Sequence, residues 1–299
     1  MRLGYIGLGN MGGGMAQCLA AAGHKVKVHD KRREAAEPQL KAGAIWADSP
    51  AEAAEGSEIV FTSLPGPPVI EEVVYGEKGI VETLKSGSVY VDMSTTSPTQ
   101  IRRIYADFKK RGIDVMDAPV SGHISGAQNG TLAIYIGGDP AVLERVRPAY
   151  EAMGKFLNYC GRIGAGMIVK LAHNQAAATL TAGLAEAFSM AVKAGVDLDV
   201  VYKGVSEGVL GQGKTLALFP NIVFGGKFDI TTMGMPLSYA HKDLSIATQV
   251  GREFGVPMPL STLVEGDMVA AINRGDGNKE HSIFVTAQEA RAGVVLRKS

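Results

Sequence analysis

The stretch Gly7-Leu8-Gly9-Asn10-Met11-Gly12 follows an apolar run, Leu3 to Ile6, and leads into a segment of helical character, Met15 to Ala22. Strand, glycine turn and helix in that order place an anion at a helix N-terminus, where unpaired N–H groups and the macrodipole favour negative charge. The pyrophosphate of a dinucleotide is the anion that such units take. Gly7 would make the tight turn, Gly9 would admit the phosphates beside bare backbone, and Gly12 would let helix and strand pack closely; Asn10 and Met11 complete the turn. A second β-rich run, Lys25 to His29, ends at Asp30, about where an acidic residue meets the adenosine ribose hydroxyls. A glycine-rich turn with no ligand is the competing reading, and the strand, helix and acid around the motif weigh against it.

With 299 residues, of which 46% are hydrophobic, the chain can form two ordinary domains with sizeable cores. Its 30 basic and 30 acidic side chains balance. No net field draws it to nucleic acid or to an anionic bilayer, so neither is the expected partner. The first strand begins next to Met1, and no cleaved targeting segment is visible. The longest uncharged stretch of the second half, Leu171 to Ala185, is shorter than a membrane span and carries His173, Asn174 and Gln175. Cys18 and Cys160 form no paired-thiol motif, which points to buried free thiols in a reducing cytoplasm. The six histidines show no metal-ligand spacing, and no Gly-x-Ser-x-Gly elbow suggests a hydrolase.

Up to Gly161 short β-rich runs alternate with helical stretches; the later runs are Glu58 to Ser63, Ser88 to Asp92, Ile113 to Asp117, Leu132 to Ile136 and Phe156 to Cys160. This alternation predicts a doubly wound, mostly parallel α/β sheet over residues 1–161. After Gly164-Ala165-Gly166 an alanine-rich run from Met167 to Lys193 contains no proline, and the pattern stays helical, so residues 162–299 are expected to form an all-α domain.

Ligands of open α/β sheets sit beyond the carboxyl ends of the strands. Three segments in that position carry polar or turn chemistry. Leu64-Pro65-Gly66-Pro67-Pro68 is a rigid loop able to lie against a nucleotide, and equally a proline-rich helix start. Asp92 to Pro98 is rich in hydroxyls and includes Thr95, while Ser97 ahead of Pro98 also reads as a helix cap. Asp117-Ala118-Pro119-Val120-Ser121-Gly122-His123 offers a hydroxyl and flexible backbone amides suited to a carboxylate.

Lys170, His173 and Asn174 stand at i, i+3 and i+4, on one face of the first helix of the second half. A lysine bordered by Val169, Leu171 and alanines is poorly placed as a solvated charge. Burial would depress its pKa and ready it to exchange protons with a carbonyl or alcohol oxygen; snorkelling from a helix end is the alternative. Asn174 could orient substrate or lysine, and His173 competes as the acid/base. Farther on, Lys242-Asp243 could close over a cofactor or simply decorate a helix start.

Together, Gly7 to Gly12, Asp117 to Gly122, Gly164-Ala165-Gly166 with Lys170 and Asn174, and Lys242-Asp243-Leu244 resemble the 3-hydroxyacid dehydrogenase family that includes 3-hydroxyisobutyrate dehydrogenase and tartronate semialdehyde reductase. The likeness covers nearly the whole chain. It implies a Rossmann domain followed by a helical domain, assembled as homodimers or homotetramers. It implies Lys170 as general acid/base, with Ser121, Gly122 and Asn174 around a small carboxylate-bearing substrate. Leu64, Pro65, Thr95 and Lys242 match positions that contact the nicotinamide cofactor in that family. Two departures stand out. His123 replaces the second glycine that many members carry, adding bulk and a potential positive charge beside the substrate carboxylate. The spacing from Phe228 to Lys242 is longer than usual, with Thr231-Thr232-Met233-Gly234-Met235-Pro236 intervening.

The expected reaction is hydride transfer between nicotinamide and a small 3-hydroxy acid or its semialdehyde. Asp30 favours NAD, since its carboxylate can accept from a free 2′-hydroxyl and repels a 2′-phosphate; NADP remains the alternative because Lys31-Arg32-Arg33 follow directly. Competing readings are a glyoxylate or other semialdehyde reductase, an imine reductase on the same fold, and a non-catalytic dinucleotide-binding protein.

Overall fold

The computed structural model describes residues 1–230 and 234–298. Residues 231–233 of the long Phe228–Lys242 segment lie outside the described residues. The chain divides into two compact units, residues 1–175 and 176–299.

The first unit is built on a sheet of nine strands among the described residues: β1 (Arg2–Ile6), β2 (Lys25–His29), β3 (Ile45–Trp46), β4 (Ile59–Thr62), β5 (Val89–Asp92), β6 (Asp114–Asp117), β7 (Val120–Ser121), β8 (Leu132–Gly137) and β9 (Gly154–Gly161). Their order is β3-β2-β1-β4-β5-β6-β8-β7, with β9 paired to β8. From β3 to β6 every pairing is parallel, whereas β6 and β7 meet β8 antiparallel. Strands β4 and β5 are buried along their whole length, as a parallel sheet covered on both faces requires. The covering helices are α1 (Gly12–Ala21), α2 (Glu37–Lys41), α3 (Pro50–Ala54), α4 (Pro67–Tyr75), α5 (Pro98–Lys110), α6 (His123–Asn129) and α7 (Pro140–Met153).

Two cores result, one on each face of the sheet. Met15, Leu19, Phe61, Val91 and Tyr150 fill one, and Val60, Ile70, Tyr90, Ile104 and Phe108 fill the other. The inner strand order 3-2-1-4-5-6 reverses direction between β1 and β4, so the crevice beyond their carboxyl ends is the topological switch point. This is a Rossmann domain.

Helix α8 (Ala165–Lys193) starts in the first unit and continues into the second, which contains α9 (Leu198–Glu207), α10 (Lys214–Asn221), α11 (Leu237–Glu253), α12 (Pro259–Asn273) and α13 (Val285–Ala292). Its own core gathers Ile222, Val223, Phe228, Leu237, Met268 and Ile283. The Glu186 carboxylate accepts from the Leu260 and Ser261 N–H groups at 2.8 and 3.0 Å, closing the open start of α12. These hydrogen bonds hold its carboxyl below the usual range although burial pushes the other way. No helix among the described residues is long and apolar enough to cross a membrane. Cys18 and Cys160 are free and half-buried.

Candidate active site

The turn after β1 is shaped by its glycines. Gly7 has φ +96°, and a Cβ there would lie 2.3 Å from the Ser63 carbonyl oxygen; a Cβ on Gly12 would lie 2.0 Å from the oxygen of Gly7. Neither position admits a side chain. A Cβ on Gly9, by contrast, would meet nothing within 4 Å, which leaves that backbone open to a ligand. Met11 gives α1 no side-chain cap, and the first turn carries no acid. Gly13 N–H donates to the Gly9 carbonyl oxygen at 2.9 Å, but no side chain caps that end, which leaves it open to an anion.

These residues line a pocket of about 560 Å³ together with Asp30, Leu64, Pro65 and Glu72, a size suited to part of a nucleotide. Bare backbone at Gly9, an uncapped helix start and an acid at the end of β2 fit a nicotinamide dinucleotide. Asp30 also holds the frame: one carboxylate oxygen accepts from Leu8 N–H at 2.7 Å and the other from Arg32 N–H at 2.9 Å. The three cations after Asp30 are all engaged. Lys31 pairs with Glu72 at 3.0 Å, the Arg32 guanidinium lies 3.8 Å from Asp30, and Arg33 lies over the Trp46 ring at 5.5 Å. The Lys31–Glu72 pair had no signal in the sequence, because 41 positions separate the two residues.

The loop after β4 is tied to the loop after β5. Leu64 N–H donates to Ser94 Oγ at 2.9 Å, and Ser94 N–H donates to Asp92 Oδ1 at 2.9 Å. Asp92 Oδ1 also accepts from Thr62, while its Oδ2 is buried without a partner. Burial pushes the Asp92 carboxyl up to about 6. Pro67 opens α4 and Ser97 caps α5 by accepting from Thr99 N–H, so both segments serve as helix starts, and Leu64 and Pro65 of the first also line the pocket. Thr95 is exposed on the second of these loops.

At the end of β6 the buried Asp117 accepts from Gly164 N–H at 2.6 Å and from Met167 N–H at 2.8 Å. A carboxylate thus occupies the positive end of α8 and fixes the helix that carries Lys170, His173 and Asn174. Burial raises the Asp117 carboxyl, opposed by these backbone donors. Lys170 is 8% exposed, and among the described residues no hydrogen bond or ion pair offsets its burial, which lowers its pKa. His173 and Asn174 are exposed. Their common helical face therefore divides into a buried lysine and two accessible polar groups.

On the facing segment, Gly122 has φ +142° and His123 φ +59°, so the backbone turns through left-handed conformations directly after Ser121. Ser121 Oγ lies 3.1 Å from His173 Nε2, and the His173 ring packs on Tyr135 with centroids 6.1 Å apart. The structure thus brings together Ser121 and the Lys170 helix within the first unit. Lys242 belongs to the second unit, on α11, where it pairs with Asp243 at 3.1 Å and lies near the Tyr239 ring. Among the described residues no three His, Cys, Asp or Glu side chains converge on a metal position.

A Rossmann sheet with a bare glycine turn and an acid at the end of β2 defines a nicotinamide-dinucleotide-binding protein. Residues 2–164 match the family profile of the NAD binding domain of 6-phosphogluconate dehydrogenase, and residues 164–287 that described as NAD-binding of NADP-dependent 3-hydroxyisobutyrate dehydrogenase. The 3-sulfolactaldehyde reductase of Escherichia coli (strain K12) is 34% identical over 295 residues, 99% of this chain and 98% of the relative. The 3-hydroxyisobutyrate dehydrogenase of Pseudomonas aeruginosa is 31% identical over 302 residues, 97% and 98% of the two chains. Among solved structures, the Mycobacterium tuberculosis 3-hydroxyisobutyrate dehydrogenase with L-serine superposes with TM-score 0.65 at 28% identity, covering 96% of this chain and 98% of that one. An imine reductase from Myxococcus stipitatus in complex with NADP+ reaches TM-score 0.85 at 19% identity, covering 96% and 99%, a likeness of fold alone. The chain belongs to the 3-hydroxyisobutyrate dehydrogenase family of NAD(P)-dependent oxidoreductases.

Proposed function

We propose that the protein catalyses reversible hydride transfer between NAD and the carbinol carbon of a small 3-hydroxy acid, with Lys170 as general acid/base. The observation that carries this reading is the desolvated, unpaired Lys170 on a helix pinned by Asp117. Gly7, Gly9, Asn10, Met11 and Gly12 would hold the pyrophosphate, Asp30 the adenosine ribose, and Leu64, Pro65, Thr95 and Lys242 the remainder of the cofactor. When bound, the nicotinamide would supply the hydride acceptor for oxidation and the hydride donor for reduction. Lys170 Nζ, neutral, accepts the hydroxyl proton in oxidation, and as ammonium donates it back to the carbonyl oxygen in reduction. Ser121, Gly122 and His123 bind the substrate carboxylate, and Asn174 orients the reacting oxygen. Fixing both ends of a short acid in this way converts binding into orientation.

The names of the curated relatives support a semialdehyde as the partner of the hydroxy acid. NAD is the preferred cofactor, because the cations that could welcome a 2′-phosphate are already held by Glu72, Asp30 and Trp46. We assign the protein to the cytoplasm, where the two free thiols stay reduced.

NAD(P)H absorbance with a panel of 3-hydroxy acids and their semialdehydes tests substrate and cofactor together. Turnover with NAD and 3-hydroxyisobutyrate or a close analogue is expected, at higher kcat/KM than with NADP. Lys170→Met should lower kcat by at least about 100-fold and leave NAD binding within a few-fold. The oxidation rate of the wild type should rise with pH and level off below the ordinary lysine pKa, since burial depresses this amine. Normal turnover by the Lys170→Met variant would refute the assignment.

A further inference from the structure

The hydrogen-bond geometry at Ser121 assigns a task to a residue that hydride transfer does not itself require. Ser121 Oγ and His173 Nε2 are 3.1 Å apart. A serine hydroxyl has one proton and two lone pairs, and a carboxylate only accepts. If Ser121 spends its proton on His173, nothing remains to donate to a substrate carboxylate.

We propose that His173 is a positioning residue. Its Nε2–H donates to Ser121 Oγ and so directs the serine proton outward, toward the carboxylate of the substrate. This inference rests on the carboxylate role given to Ser121 above. Both partners stand on fixed backbone. Ser121 pairs with Ala133 in the β7–β8 ladder, and His173 lies two turns along a helix whose start is held by Asp117. Tyr135, also on β8, packs against the imidazole with ring planes 39° apart and restricts its rotation. His173 therefore tunes substrate affinity through a neighbouring hydroxyl, while proton exchange at the reacting oxygen belongs to Lys170.

The test combines steady-state kinetics for NAD and 3-hydroxyisobutyrate with calorimetric binding of isobutyrate, a carboxylate that cannot react, to the NAD-loaded enzyme. Wild type, Ser121→Ala, His173→Phe, His173→Asn and the double variant Ser121→Ala with His173→Phe are compared. His173 is exposed, and unchanged melting temperatures check that each variant folds. His173→Phe leaves Ser121 its proton but nothing to aim it, and should raise KM and the isobutyrate Kd about threefold, a part of one hydrogen bond to a charged group. The value of kcat should stay within about twofold, because the change acts on binding alone. His173→Asn, which keeps an N–H donor, should recover part of the loss. Adding His173→Phe to Ser121→Ala should cost nothing further, since the two residues act as one unit. An unchanged Kd in His173→Phe, or losses that multiply in the double variant, would overturn the proposal. Isobutyrate binding that depends on both residues, without turnover of any 3-hydroxy acid, would overturn the functional reading and leave this inference standing. Absence of both turnover and isobutyrate binding would overturn both.

Discussion

At position 123 a histidine occupies backbone with φ +59°, a conformation in which an L-residue's Cβ crowds the following carbonyl oxygen. The family resemblance places a second glycine there in many members, and the observed φ explains why glycine suits it. Histidine carries a standing strain of about 1 kcal/mol beside the substrate loop. His123→Gly should therefore stabilise the protein by up to about 0.5 kcal/mol after allowing for glycine's greater freedom in the unfolded chain. Urea unfolding measures this, and a loss of stability would show that the imidazole earns compensating contacts. The presence of His123 was legible from sequence; the sign of its φ was not, because dihedral strain leaves no compositional trace. Lys170 was legible through its apolar neighbours and its spacing. That the same helical face would bury the lysine and expose His173 and Asn174 was hidden, since periodicity gives a direction and not the place where packing stops.

Among the elements, the strands after which ligands gather were the easiest to read. The run Lys25 to His29 coincides with β2, and the long β-rich runs each became a strand because they are apolar and bounded by turns. The two-residue strands β3 and β7 escaped notice, being too short to show a period of two. Equally invisible was the tie that runs from Asp92 through Ser94 to Leu64, which joins the ends of β4 and β5 because its Leu64–Ser94 bond links residues 30 apart in sequence. That tie has a consequence for pH. Asp92 titrates at about 6 in the folded state, against an ordinary value of 3.8, because burial disfavours its charged form. Between those two values the folded state holds more protons than the unfolded chain, so stability falls as pH rises. The contribution is complete below about pH 4 and lost above about pH 6, a difference on the order of 3 kcal/mol. Asp92→Asn removes the titration. Urea unfolding at pH 4.5 and 7.5 should show the variant gaining relative to wild type at the higher pH; parallel profiles would refute the assignment.

At the scale of the whole molecule, much apolar surface is exposed among the described residues. Residues 171–182 of α8 are all exposed although alanines and leucines dominate them, and α9 has no buried residue despite Leu198, Val200 and Tyr202, each more than half exposed. A helix apolar on nearly every side is normally found inside a core, and exposed patches of this kind mark association surfaces. Equal numbers of acidic and basic side chains remove the long-range repulsion that would oppose self-association. We therefore expect a homodimer or homotetramer in which copies of these helices cover one another. Light scattering of the 31.4 kDa chain after size exclusion should give two or four times that mass at micromolar concentration. Leu180→Glu with Val200→Glu should shift the population toward monomer, because each buried carboxylate would have to shed its water without a partner. A monomeric wild type would mean that these faces stay in water, and two substitutions on them would then leave both mass and melting temperature where they were.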